Sequence, residues 1–272
     1  MHVRRRSLVA LFACALGLQS AGAQSTIYAR TADTLRFREV TTMDMTMRTP
    51  QGEVPMTIEQ DATLAILMLP GDSARAWYDA LRVGVSSQMG SQQAETGSIL
   101  KQPFHLRFDP RGRTEVISSP AFPQTVQGVS DLTQQFADFF LRLPTSPLRL
   151  GLAWTDTSTR KSAAPDKTSS TQSIASYRVE RDTTVAGEAA FVISMRQQIT
   201  AQSEGPVPGQ PMRVHVATSG TDEGFVVFAK SGRMLGRQRT GTLSGGTTIT
   251  GDAGSMEITQ TSNFRSRIEV VK

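Results

Sequence analysis

Strict alternation of apolar and polar residues, sustained over runs much longer than an ordinary strand, is the feature that most limits how this 272-residue chain can fold. Over residues 35–47 one face carries Leu35, Phe37, Met43, Met45 and Met47, and the other carries Arg36, Arg38 and Asp44. Pro50-Gln51-Gly52 reads as a turn, after which Val54, Met56, Ile58, Ala62, Leu64, Ile66 and Met68 alternate with Glu53, Thr57, Glu59, Asp61 and Thr63. A period of two places successive side chains on opposite faces, so each run is a half-buried strand. Runs of about 13 to 16 residues span on the order of 45–50 Å, against roughly 17–20 Å for a usual strand. Strands of that length twist and must bend, and the sheet they form curls into a trough or partial barrel.

The pattern continues along the chain. Trp77, Leu81, Val83 and Val85 form a third apolar face after the Pro70-Gly71-Asp72 turn. Phe104, Leu106 and Phe108 lead into Asp109-Pro110-Arg111-Gly112, which has type I turn preferences. Residues 158–173 are polar and read as a loop around Pro165. Strand character resumes at Tyr177 and Val179, again at Phe191 to Ile199 and at Met212 to Val216, and ends with Ile268 and Val270. The glycine-rich residues 241–254 read as hairpin turns, since no Lys-Ser/Thr ending makes them a phosphate cradle. Arg233, Arg237 and Arg239 read as a solvated strand face. The spacing Phe108…Gly112-Arg113 recurs as Phe228…Gly232-Arg233, an echo compatible with two half-repeats, 34–119 and 153–272.

One stretch breaks the period of two. Val129, Leu132, Phe136, Phe139 and Leu143 recur at steps of three and four, which predicts an amphipathic helix over residues 130–143. Ser130 is suited to cap its N-terminus, and Pro144 should end it, because proline lacks the N–H that continuation needs. A Pro-rich connection then leads through Gly151 to Trp154, so residues 124–152 form a helix and linker between the halves. The expected architecture is mainly β (α+β): a long-stranded, strongly curved antiparallel sheet or half-barrel packed around one central amphipathic helix.

The N-terminus reads as an export signal. Arg4, Arg5 and Arg6 precede a short apolar run and Ala21-Gly22-Ala23, the three parts of a secretory signal peptide over 1–23. The single mature domain would then be 24–272, periplasmic or extracellular. The run Leu11-Phe12-Ala13-Cys14 resembles a bacterial lipobox, and the alternative is a chain lipid-anchored through Cys14. No later run approaches the roughly 20 apolar residues of a transmembrane helix. Cleavage removes three of the 29 basic residues, so 26 face 24 acidic ones and the net charge falls from +5 to +2, which weakens any case for nucleic acid. Cys14 is the one cysteine, so the mature chain is expected to form no disulfide and to hold no thiolate metal ligand.

Catalytic signals are sparse. His105 and His215 each sit between apolar neighbours on the polar face of a strand, with no cluster of carboxylates to complete a metal site. No G-x-S-x-G elbow occurs. The reading is therefore of a protein without catalytic residues, cofactor or metal, and a hydrolase using the two histidines ranks last. Met45 and Met56, with Phe136, Phe139 and Trp154, are the residues expected to line an apolar cavity, thioethers being adaptable partners for irregular apolar ligands. The first functional expectation is a non-enzymatic carrier of a lipid-like ligand. The alternative is a structural or protein-interaction component of the bacterial envelope with a fully packed core.

Leu143-Pro144-Thr145-Ser146-Pro147, followed by Gly151-Leu152-Ala153-Trp154, resembles an uncharacterised family of bacterial exported proteins that place Leu-Pro, a nearby Pro and Gly-x-x-Trp after a central helix. The resemblance implies architecture and export. More remotely, long curled strands with a covering helix look like the lipoprotein carriers of the LolA and LppX kind, whose apolar concavity holds acyl chains.

Overall fold

The structure is a computed structural model that describes residues 27–29, 33–122, 132–163, 168–206, 211–252 and 254–271. The expected signal peptide, Cys14, and the start of the central helix at Ser130 lie outside the described residues.

The strands are β1 (Leu35–Thr49), β2 (Gly52–Met68), β3 (Ser73–Ser87), β4 (Gly90–Gln93), β5 (Phe104–Phe108) and β6 (Thr114–Ser118). After the helix α1 (Leu132–Ala137) come β7 (Ala153–Ala163), β8 (Thr168–Val185), β9 (Glu188–Pro206), β10 (Met212–Ala229), β11 (Arg233–Gly251) and β12 (Gly254–Val271). All belong to one 12-stranded sheet in the order β6-β5-β3-β2-β1-β12-β11-β10-β9-β8-β7, with β4 alongside β3. Neighbours pair antiparallel throughout. The first and last strands pair at the centre, from Arg36 opposite Val271 to Arg48 opposite Thr259, and the sheet grows outward from them as two meanders. The outer edges, β6 and β7, are consecutive strands in sequence, and between them Phe136, Phe139, Phe140, Leu141, Leu143 and Leu148 pack against the inner face.

The strands run longer than the alternation suggested. Residues 158–163 extend β7 and residues 168–173 open β8, where a loop was expected; only 164–167 fall outside the description. The Ser/Thr-rich composition fits exposed strand as well as loop, and cross-strand pairing decides between them. Residues 241–251 are likewise strand and not turns. Gly241 faces inward where a Cβ would lie 2.5 Å from the Thr221 carbonyl and 2.7 Å from the Phe264 ring, so close approach of neighbouring strands accounts for it.

Four β-bulges bend the sheet and change which residues face inward. Extra residues Asp79, Ile117, Glu180 and Leu235 interrupt the β2–β3, β5–β6, β8–β9 and β10–β11 ladders. The bulge at Asp79 turns Trp77 outward, where its indole N–H donates to the Asp79 carboxylate at 2.8 Å, and sends Tyr78 into the core.

The crossing segment is a short helix followed by an irregular strap. Helix α1 ends at Ala137, six residues before the expected stop. A helix reaching Leu143 would need the carbonyls of Asp138 and Phe139 for the N–H groups of residues 142 and 143. Those carbonyls are taken by another partner, and the carbonyls of Leu141 and Arg142 are held from outside as well. Arg237 donates to the carbonyls of Asp138 and Phe139 at 2.8 and 2.9 Å. The Tyr28 hydroxyl takes the Leu141 carbonyl and the Trp154 indole takes that of Arg142, both at 2.9 Å. Leu143 N–H donates to Arg111 O at 2.8 Å. Tertiary partners thus replace the helical bonds.

Phe136 and Phe139 are completely buried beneath this strap. Phe136 meets Phe104 with ring centroids at 4.5 Å and Phe139 meets Phe37 edge-on at 5.0 Å. Burying side chains of this size stabilises the fold by about 1.5–3 kcal/mol each.

The two Phe…Gly-Arg echoes meet at Tyr28. Its ring stands edge-on to Phe108 at 5.4 Å and to Phe228 at 5.1 Å. Tyr28 N–H donates to Pro110 O and Ala29 N–H to Gly232 O, at 2.8 and 2.7 Å. Gly112 (φ +91) and Gly232 (φ +94) need glycine twice over, for the left-handed turn and for space. A Cβ on Gly112 would lie 2.4 Å from Leu141 O, and one on Gly232 would lie 2.7 Å from Ile27 O.

Candidate functional site

The inner face divides along its length. At one end the strands contribute Phe37, Leu64, Ile66, Ile193, Val226 and Phe228, all buried against the strap. At the other end the same strands turn inward Met43, Met45, Met47, Val54, Met56, Ile199, Val214, Val216, Leu243 and Ile249, all of which remain half-buried.

Between these regions runs a belt of buried charge. Asp222 is 5% exposed and Arg237 7%. Arg239 reaches Asp222 at 3.5 Å, Arg142 pairs with Asp156 at 2.7 Å, and Arg160 grips Asp138 at 2.7 and 3.1 Å. Glu39 accepts from Ser266 at 3.1 Å and from Gln135, whose amide oxygen takes the Tyr78 hydroxyl at 2.7 Å. Burial pushes the Asp222 carboxyl above its ordinary value, against the opposing pull of Arg239 and Arg237. Burial, helped by Arg239, brings the Arg237 guanidinium down to about 10. Beneath the strap a cavity of about 30 Å³ touches Asp138, Arg142, Asp156, Arg237 and Arg239, which is room for about one water.

These arginines were expected on a solvated face. The bulge at Leu235 reverses the alternation after Met234 and carries Arg237 and Arg239 inside. No local sequence signal marks a bulge there.

A larger cavity of about 1040 Å³ opens beyond the belt. Its walls include Arg113, Glu115 and Val116 at one sheet edge and Ser158, Arg160 and Lys161 at the other, with Ala137, Ala201 and Val216. Strands at opposite ends of the sheet order therefore approach each other, and the sheet is a half-barrel around this space. A depression of about 1130 Å³ on the opposite face is lined by outward residues of mixed charge, including Asp44, Arg196, Glu223 and Arg265.

The expected site residues fall into three places. Met45 and Met56 are direct cross-strand partners at the open end of the inner face. Phe136 and Phe139 sit in the filled end. Trp154 is stacked on Tyr177 at 5.1 Å and bonded to the strap, so it anchors the connection. His105 and His215 are exposed.

No protein-family model matches the chain, and no curated protein matches it. Among solved structures it is similar to a loop-deletion mutant of OmpT, an outer membrane protein of Vibrio cholerae: 9% identity, 87% of this chain and 100% of that chain, TM-score 0.20. It is also similar to a putative outer membrane lipoprotein-sorting protein domain from Vibrio parahaemolyticus, at 10% identity over 86% of this chain and 83% of that chain, TM-score 0.15. A third is OccK11 (OpdR) of Pseudomonas aeruginosa, at 7% identity over 92% and 99%, TM-score 0.19. At these scores the likeness defines no family.

Proposed function

We propose that the protein is a non-enzymatic, extracytoplasmic carrier or binder of a lipid-like ligand, held on the open half of the inner face. The observation that carries this reading is the unequal filling of one sheet: aromatic side chains pack one end, while methionine and aliphatic side chains at the other stay half-buried, and Val216 of that face enters the wall of a cavity of about 1040 Å³. That volume suits a drug-sized or acyl ligand, and the cavity walls are mostly polar, with Val116, Ala137, Ala201 and Val216 as their apolar members. Export of the chain rests on the signal-like residues 1–23. The outward residues of β1, among them Arg36, Arg38 and Arg48, are charged and exposed, unlike the apolar outer band of a transmembrane barrel.

Native mass spectrometry of the purified protein, before and after lipid extraction, tests the proposal. The wild-type protein should carry or take up acyl lipid, and Met45→Glu, which places a charge on the open face, should lose most of it. A protein that neither retains nor takes up lipid would overturn the reading.

A further inference from the structure

Charge around the large cavity points to the class of ligand, an inference that rests on the carrier reading. Four cations and one carboxylate lie on its walls: Arg113, Arg142, Arg160 and Lys161, with Glu115. The half-buried arginines are neutralised, Arg142 by Asp156 at 2.7 Å and Arg160 by Asp138 at 2.7 Å. Glu115 is engaged by Arg107 at 2.6 Å. Among the described residues, Arg113 and Lys161 have no ion-pair partner, and both are exposed. Both line the cavity from the outer edges of the sheet, Arg113 directly before β6 and Lys161 on β7. The lining also carries the hydroxyls of Ser158, Thr171 and Thr218, with Val216 and Ala201 among its few apolar members.

We infer that the cavity selects an anionic amphiphile: an acyl chain lies along the inner face, and its phosphate or carboxylate head is held at the mouth between Arg113 and Lys161. Anionic oxygens suit both donors, since guanidinium offers a planar fork and ammonium a compact charge. Each contact is solvent-exposed, so the pair biases selection modestly and the bias weakens as salt screens it.

The test is calorimetric titration of the full exported chain with dodecyl phosphate, dodecyl maltoside and inorganic phosphate, the amphiphiles kept below their micelle-forming concentrations. Dodecyl phosphate should bind about tenfold more tightly than the maltoside, as two exposed charge contacts allow. In R113A/K161A that preference should shrink to about twofold, with maltoside binding retained as proof of folding, and 0.5 M salt should shrink it likewise in the wild type. Equal binding of both amphiphiles by the wild type would overturn the inference and leave the carrier reading standing. Inorganic phosphate binding as tightly as dodecyl phosphate would overturn it in favour of a plain anion site. Binding of neither amphiphile would overturn the carrier reading and this inference together.

Discussion

The two ends of the same strands behave as different materials. At the filled end, β1 contributes Phe37, which is completely buried and meets Phe139 from the strap. A few residues further on, the same face of β1 contributes Met45, half-buried and opposite Met56. Alternation is equally good in both halves, so a period of two specifies which way a side chain points but not whether anything covers it. What distinguishes the ends is the strap, whose aromatic residues fill one and stop at the belt of Asp222, Arg237 and Arg239. The filled end supplies stability, and the open end is the surface the carrier proposal assigns to a ligand.

Truncations at the two ends of the inner face should expose the difference most sharply. Phe139→Ala should cost about 3–5 kcal/mol in urea unfolding, while Met45→Ala, already partly in water, should cost under about 1.5 kcal/mol. Equal losses would abolish the distinction.

Glycine substitutions probe how closely neighbouring strands approach each other. Gly224→Ala places a Cβ 1.9 Å from Gln238 O on the neighbouring strand, and the resulting shift should cost about 1–3 kcal/mol. Gly246→Ala, whose nearest such neighbour is Ile258 O at 3.9 Å, should be close to neutral by the same thermal melts.

The clasp on the strap can be loosened by one atom. Tyr28→Phe leaves the rings in place but takes the hydroxyl from Leu141 O, a buried carbonyl, at a cost of about 1–2 kcal/mol. A variant as stable as wild type would mean that the strap is held by packing alone.

The charge belt should show the smallest effect, and its sign is diagnostic. The Asp222 carboxyl titrates above its ordinary value, so the folded protein holds that proton more tightly than the unfolded chain. Its contribution is fully present below the unfolded carboxylate range and is lost as pH rises through the raised folded value. Asp222→Asn cannot titrate there. Wild type should therefore lose stability relative to the variant between pH 4 and pH 7, by about 1 kcal/mol or less per unit of displacement. Chemical unfolding at both pH values measures it. A relative gain would show that Arg239 outweighs burial.

Much of the sheet was legible in the sequence, since the alternation on either side of the Pro50-Gln51-Gly52 turn places Phe37, Leu64 and Ile66 on the face they occupy. The aromatic strap was legible too, because Phe136 and Phe139 needed a large apolar partner and found the sheet. Its helix was overextended because periodicity cannot register that Arg237, Tyr28 and Trp154 would claim the carbonyls of Asp138, Phe139, Leu141 and Arg142. The inward arginines were missed for a related reason: a single extra residue at Leu235 reverses the phase, and nothing in a local window announces it.

By itself, then, the amino-acid order determined long antiparallel strands, their apolar faces and a central aromatic segment, because backbone geometry converts a period of two or of three and four directly into faces. Tertiary structure alone decided where the phase reverses, where the helix ends and which half of the sheet is covered. Those outcomes depend on hydrogen bonds and contacts between residues about a hundred positions apart, as between Arg237 and Asp138, and no local pattern encodes them.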